Sequence, residues 1–107
     1  MLTSNSTDIE REILLDALDE DAVLSVVENI SQKFRLDRSD IFEHVVSLSY
    51  ENLVEFYKYE NEEKTEIMNV KSSELDKEMR DHPYEIFLAR TDKTFGRLAE
   101  INKTHMA

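Results

Sequence analysis

The chain has 107 residues, of which 40% are hydrophobic and 35% charged, and these values predict one folded domain and exclude a fully disordered chain. Without cysteine it can form neither a disulfide nor a thiolate nucleophile. The formal net charge of −11 repels nucleic acid over the whole surface and favours partners with a basic surface.

Glycine and proline are scarce, with one of each, Gly96 and Pro83. Turns and sheets use these residues more than long helices do, so their scarcity predicts a mostly helical chain with few, short connections. No stretch approaches the ~20 apolar residues of a membrane-spanning helix. The first residues lack the basic start and apolar core of a signal peptide. These features predict a soluble cytoplasmic protein.

The first predicted helix begins at Thr7, after six residues that we expect to fray. Thr7 and Glu10 have the spacing of a capping box, in which the two side chains satisfy backbone amides of the first turn. Ile9, Ile13 and Ala17 then fall on one helical stripe. The pattern predicts a short helix that ends near Leu18.

The second predicted helix has the clearest helical period in the chain. Its apolar residues are Val23, Val26, Val27, Ile30 and Phe34. A negative run precedes it, where the positive pole of a helix favours acids. We therefore predict a helix from Val23 to Phe34 at the centre of the fold.

A short turn follows Phe34, and a third helix is predicted to start at Asp37 or Ser39. Leu36 is expected to fill the turn, and Arg35 stands where glycine is common. The spacing of the two helices resembles the general helix-turn-helix pattern.

Beyond this turn the apolar side of the chain is broad. We predict that residues 39–61 form a kinked or broken pair of helices, with a break at residues 47–49, although one continuous helix remains open. The charged residues 60–66 suggest a solvated helix end or a connection. Ile67–Val70 could be extended or helical.

A short helix is predicted from Ser72 through Met79, ended by His82 and Pro83. A last helix is predicted over residues 83–103, because apolar positions recur there at heptad spacing. That seam contains Tyr84, Leu88, Phe95 and Leu98. Packing on the chain's own core is the favoured role of the seam, and contact with a second copy is the alternative.

Together these elements predict an all-α fold, a single compact domain of four to six helices with a helix-turn-helix-like pair at its centre. A first helical part would cover residues 7–61 and the C-terminal helices residues 72–103. The predicted core consists of Ile13, Val23, Val26, Val27, Ile30, Phe34, Ile41, Val45, Leu53, Phe56, Leu88, Phe95 and Leu98.

No catalytic pattern is visible in the sequence. His44, His82 and His105 are far apart and form no pair with metal-ligand spacing. Gly96 is the sole glycine, so there is no glycine-rich phosphate loop. We predict a protein that is not an enzyme and needs no cofactor or metal.

The leading functional hypothesis is an acidic adaptor or regulator that binds a basic surface on another protein. The predicted acidic face contains Asp16, Asp19, Glu20 and Asp21. These carboxylates are concentrated around the end of the first helix, with no basic residue among them. A solvated surface with no partner is the alternative for this run.

A second hypothesis is a dimeric helix-turn-helix protein that binds DNA. Lys33, Arg35 and Arg38 would contact phosphates, with Ser39 and His44 near base edges. Asp40 and Glu43 on the same helix oppose binding to a phosphate-lined groove. A plain pair of packed helices is the favoured alternative.

A third hypothesis is mimicry of nucleic acid by rows of carboxylates that would inhibit a DNA- or RNA-binding protein. The first candidate row is Asp8, Glu12, Asp16, Asp19, Glu20 and Asp21. The second is Glu55, Glu60, Glu62, Glu63 and Glu66, which Lys58 and Lys64 interrupt. The first row is therefore the better candidate.

Overall fold

The computed structural model describes the backbone of residues 2–60, 62–67, 72–81 and 85–106. Within those ranges the side chains of residues 2–6, 59–60, 65–67, 72 and 104–106 are not described. The elements in chain order are α1 (Leu2–Leu18), α2 (Val23–Phe34), α3 (Arg38–Tyr50), β1 (Val54–Glu60), β2 (Glu63–Ile67), α4 (Ser72–Asp81), β3 (Ile86–Arg90) and α5 (Thr94–Met106). The fold is mixed α and β, so the all-α prediction is wrong.

The first helix begins earlier than the sequence pattern suggests. Because α1 starts at Leu2, Thr7 lies inside the helix, and the predicted helix start with its capping box at Thr7 is wrong. The helix ends at Leu18 as predicted.

The prediction of α2 is confirmed at both ends, Val23 and Phe34. Arg35 then takes the left-handed conformation, with φ of 56°, in the position expected for glycine. The amide of Leu36 donates to the carbonyl of Ser31 (3.1 Å), which is the hydrogen bond of a Schellman motif. Leu36 packs against the core, so it fills the turn as predicted.

The third helix starts at Arg38 and ends at Tyr50, and a strand replaces its predicted continuation. Val54 and Phe56 point to the core, while Tyr57 is buried on the opposite face. A strand covered on both faces gives a continuous apolar run, which resembles a broad helical face in sequence. The prediction of a kinked or broken helix pair over residues 39–61 is therefore wrong.

The three strands form an antiparallel sheet in the order β2-β1-β3. β2 covers most of the stretch that was predicted as a helix end or a connection, and Ile67 is its last residue, so the extended alternative holds at Ile67. Met68–Val70 lie outside the described residues. The turn between α1 and α2 runs along the other edge of β3, where the amide of Leu88 donates to the carbonyl of Asp21 (2.9 Å).

α4 confirms the short helix predicted from Ser72, and its Leu75 and Met79 are buried. His82 and Pro83, the predicted stop, lie outside the described residues.

The single helix predicted over residues 83–103 is instead a strand followed by a helix. The break is a capping arrangement: the Thr91 hydroxyl accepts from the amide of Lys93 (3.1 Å), and the Thr94 hydroxyl accepts from the amide of Thr91 (2.8 Å). Thr94 is fully buried and also donates to the carbonyl of Leu53 (2.7 Å). These bonds tie the start of α5 to the start of β1.

The heptad seam is consequently not one surface. Leu88 is a core residue of β3, Leu98 is buried on α5, and Phe95 is 58% exposed. Tyr84 lies outside the described residues. The predicted seam along one helix is therefore wrong.

One hydrophobic cluster joins residues from all five helices with β1 and β3. Eleven of the thirteen predicted core residues are buried, namely Ile13, Val23, Val26, Val27, Ile30, Ile41, Val45, Leu53, Phe56, Leu88 and Leu98. Phe34 is partly buried against the cluster, and Phe95 was assigned to the core wrongly. Among the described helices, none combines the length and the apolar character needed to cross a membrane.

Candidate functional site

The end of α1 and the turn after it gather carboxylates from neighbouring positions. The carbonyl of Asp16 accepts hydrogen bonds from the amides of Asp19 (3.2 Å) and Asp21 (3.3 Å), so the turn folds back on the helix end. Glu12 lies one helical turn before Asp16 on the same face. We call Glu12, Asp16, Asp19 and Asp21 the acidic cluster.

The cluster is electrostatically strained at Asp16. Burial of the carboxyl group, reinforced by neighbouring negative charges, raises the pKa of Asp16 from 3.8 to about 6. Those charges belong, in decreasing order of effect, to Asp21, Glu12 and Asp19. Burial, and then the charge of Asp19, also raises the pKa of Asp21. Ionised carboxylates at this position therefore repel one another without full compensation.

Lys33 of α2 partly compensates the negative charge of the acidic cluster. Its ammonium lies 2.5 Å from the carboxylate of Glu12 and lowers the pKa of Asp16, although this effect is smaller than those that raise it. The Lys33 side chain is 59% exposed, so solvent screens its charge. The cluster keeps a negative character after this contact.

Glu20, the fourth residue of the predicted acidic face, turns away from the other three. It has a φ of 54°, and its carboxylate lies 3.9 Å from the ammonium of Lys64 on β2. The structure therefore brings Asp16, Asp19 and Asp21 together and separates Glu20 from them.

An aromatic pair lies on the side of the sheet that faces away from the core cluster. The rings of Tyr57 and Phe87 stack with centroids 5.7 Å apart and an interplanar angle of 20°. The ammonium of Lys64 lies 4.1 Å from the centroid of the Tyr57 ring. This pair was not predicted from the sequence, because Tyr57 and Phe87 fall within the predicted helices over residues 39–61 and 83–103. The alternation of Tyr57 and Tyr59 with charged residues was the available signal for a strand.

The residues predicted for DNA binding are not arranged as one basic surface. Lys33 pairs with Glu12, and Arg35 occupies the exposed turn after α2. Arg38 and Ser39 lie at the start of α3, and His44 is half-buried further along the helix.

Arg38 and Ser39 line a surface cavity of about 450 Å³ between α3 and α4. The complete lining consists of Arg38, Ser39, Phe42, Glu43, Ser73, Asp76 and Arg80. Two arginines and two acids balance its formal charge, and Arg80 already binds Asp76 at 2.6 Å. The lining therefore carries no net formal charge.

The first of the two carboxylate rows proposed for mimicry is interrupted by basic partners. In the first row, Asp8 pairs with Arg11 at 3.2 Å, and Glu12 and Glu20 have the lysine contacts described above. In the second, Glu62 and Glu63 are exposed and Glu55 is half-buried, whereas the side chains of Glu60 and Glu66 are not described.

Within the described ranges, no three His, Asp or Glu side chains are placed to hold a metal ion. Comparison with protein-family models, curated proteins and solved structures gives no match.

Proposed function

We propose that the protein is a non-enzymatic adaptor or regulator that binds a basic surface of another protein through its acidic cluster. The observation that carries this proposal is the convergence of Glu12, Asp16, Asp19 and Asp21 at the end of α1. Burial of the Asp16 carboxyl group, and then repulsion from its neighbours, raise its pKa to about 6. A cationic side chain placed among these carboxylates would relieve the repulsion, so binding gains free energy at this site. The net charge of −11 would also accelerate approach to a basic partner.

The cluster is suited to binding because it is held firmly and remains accessible. Ala17 and Val23, which flank its turn, are fully buried, and Asp19 is exposed. The hydrogen bond from Leu88 to Asp21 fixes the turn against β3. A site on such a frame loses little conformational freedom on binding. We also propose a cytoplasmic location, since a chain without cysteine suits a reducing compartment.

The test is retention of partners from a lysate of the native host by the immobilised protein as salt is raised. A triple variant, Asp16→Asn with Asp19→Asn and Asp21→Asn, should lose the retained proteins. Retention by the parent should fall as ionic strength rises, because charge-led contacts are screened over about 10 Å at 0.1 M salt.

The matched control removes three charges from exposed positions elsewhere: Glu28→Gln, Glu51→Gln and Asp81→Asn. It should retain the same proteins as the parent. Equal loss in both triple variants would show an effect of total charge alone, and the absence of any retained partner at low salt would remove the basis of the proposal.

Direct DNA binding receives less support from the geometry. Lys33 is engaged by Glu12, and Arg38 lies in a cavity of balanced charge. Affinity for DNA comes mainly from neutralising phosphates, which this distribution of charge opposes.

A further inference from the structure

Four side chains from four separate segments meet on the outer face of the sheet. Tyr57 of β1 lies directly opposite Phe87 of β3 in the register, and Lys64 of β2 is a diagonal neighbour of Tyr57 on the same face. Glu20 approaches from the turn that runs along the free side of β3. The contact of Glu20 with Lys64 therefore spans the whole width of the sheet.

The environment of the Lys64 ammonium is that of a cation-binding site. An aromatic face lies 4.1 Å from it, a carboxylate lies 3.9 Å from it, and the second ring backs the first. Aromatic faces and carboxylates together are the groups with which proteins recognise ammonium and guanidinium ions. In this structure the ion bound there is the protein's own lysine.

The hold on Lys64 is loose. A distance of 3.9 Å is longer than the roughly 2.8 Å of a charge-assisted hydrogen bond, and both side chains of the pair are about half exposed. Exposed ion pairs of this kind contribute little to stability, so another cation can replace Lys64 at small cost.

We propose that Glu20, Tyr57 and Phe87 form a cation site that Lys64 occupies in the free protein and that a lysine or arginine of the partner occupies in the complex. The inference rests on the proposed function and specifies the partner further. Because Glu20 of this site is the chain neighbour of Asp19 and Asp21 in the acidic cluster, the two sites are adjacent, and the partner presents at least two basic side chains. One displaces Lys64, and another contacts the carboxylates around Asp16.

The test measures binding of a blocked pentalysine peptide at low ionic strength by calorimetry. Lys64→Met removes the ammonium that pairs with Glu20 and leaves a flexible apolar chain, which an incoming cation can displace without breaking an ion pair. We expect it to bind the peptide about fivefold or more tightly than the parent, because the peptide no longer competes with an ammonium in cis. Lys77→Met removes the same charge from an exposed position on α4 and should change affinity far less.

Two further variants test whether the increased affinity for the peptide arises at the proposed cation site. In the Lys64→Met background, Glu20→Gln should remove most of the increase, and this exposed substitution should not disturb folding. Tyr57→Leu should do the same, with the far-ultraviolet spectrum as a check on its fold. In spectra of the Lys64→Met protein, the Tyr57 ring resonances should shift on addition of peptide.

Equal affinity of Lys64→Met and Lys77→Met would overturn this inference, as would a gain that survives Glu20→Gln. Neither result touches the lysate experiment, whose outcome depends on the acidic cluster. The two proposals can therefore fail separately.

Discussion

At Asp16 the negative charge of the chain is unfavourable to the folded state. Its folded pKa, about 6, lies above its ordinary value of 3.8, so the folded state binds this proton more tightly than the unfolded state does. Asp16 therefore favours folding below pH 3.8, and this contribution is lost as the pH rises through 6. Above that pH the folded protein carries a half-buried carboxylate among other carboxylates.

Asp16→Asn should therefore raise the melting temperature at pH 7.5 and have little effect near pH 3.5, where the acid is mostly protonated in both states. The matched control is Glu28→Gln, which removes one exposed charge from the adjacent helix. Thermal unfolding of the three proteins across this pH range is the measurement. A stabilisation of Asp16→Asn that is the same at both pH values would contradict the assignment.

Single residues also explain how the chain turns with so little glycine. The left-handed conformation is taken by Glu20, Arg35, Asn52 and Glu62. Gly96 lies in α5 instead, and nothing lies within 4 Å of where a Cβ would be. The mostly helical chain predicted from scarce glycine is confirmed, with five helices among the described residues. Scarce glycine did not exclude the turns of the sheet, because other residues adopt the left-handed conformation at a cost of about 1–2 kcal/mol.

At the scale of elements, the first three helices end in the same way. The amides of Asp21, Leu36 and Leu53 donate to the carbonyls of Asp16, Ser31 and Leu48, respectively. In each case the preceding residue is left-handed, which is the Schellman arrangement. Leu36 and Leu53 also contact the core, so the same motif ends the helix and directs the next segment inward.

Arg35→Gly should stabilise the protein by about 0.5–1 kcal/mol, because glycine removes the left-handed strain and loses only part of this gain to the greater freedom of the unfolded chain. Gln32→Gly is the matched control, since it places glycine at an exposed interior position of the same helix and should destabilise by about 1 kcal/mol. Urea denaturation of both variants measures the change in the free energy of unfolding, which should be positive for Arg35→Gly and negative for Gln32→Gly. Destabilisation by Arg35→Gly would show that its side chain contributes more than its backbone costs.

At the scale of the whole molecule, α1 and α5 are joined by Glu10 and Arg97. The guanidinium donates to both carboxylate oxygens, at 2.6 and 3.1 Å. Hydrogen bonding to Glu10 raises the pKa of Arg97, which remains charged throughout the accessible pH range. The contact connects positions 87 residues apart and fixes the last helix on the first.

A double-mutant cycle with Glu10→Gln and Arg97→Lys should give a coupling of about 1 kcal/mol, because the lysine keeps the charge but loses the two-pronged geometry. The arginine is 39% exposed, so a larger value is not expected. Arg97 also contacts Glu100 at 3.2 Å, and Glu100→Gln serves as the control within α5. Urea denaturation measures the four stabilities of the cycle. A coupling free energy that is zero within experimental error would show that the Glu10–Arg97 contact does not stabilise the fold.

Features that depend on neighbours in the chain could be predicted from the sequence. The period of α2 places Val23, Val27 and Ile30 in the core, and α4 follows from its serine start and its buried Leu75 and Met79. The carboxylates of the acidic cluster also converge locally, because one turn brings them together. Local hydrogen bonds and helical spacing are sufficient for each of these results.

The sheet and the proposed cation site could not be predicted from the sequence, because both depend on contacts between segments that are distant in the chain. β1 and β3 are stable as strands because the backbone groups of each one hydrogen-bond to the other. This pairing joins distant segments, so neither segment carries a local sequence pattern that predicts it. Phe95 is exposed because it lies on α5, which begins separately after β3, and not on one helix with Leu88. The pairing of β1 with β3 also stacks Tyr57 on Phe87. Lys64 contacts Glu20 for the same reason, because the sheet brings together residues that are remote in the chain.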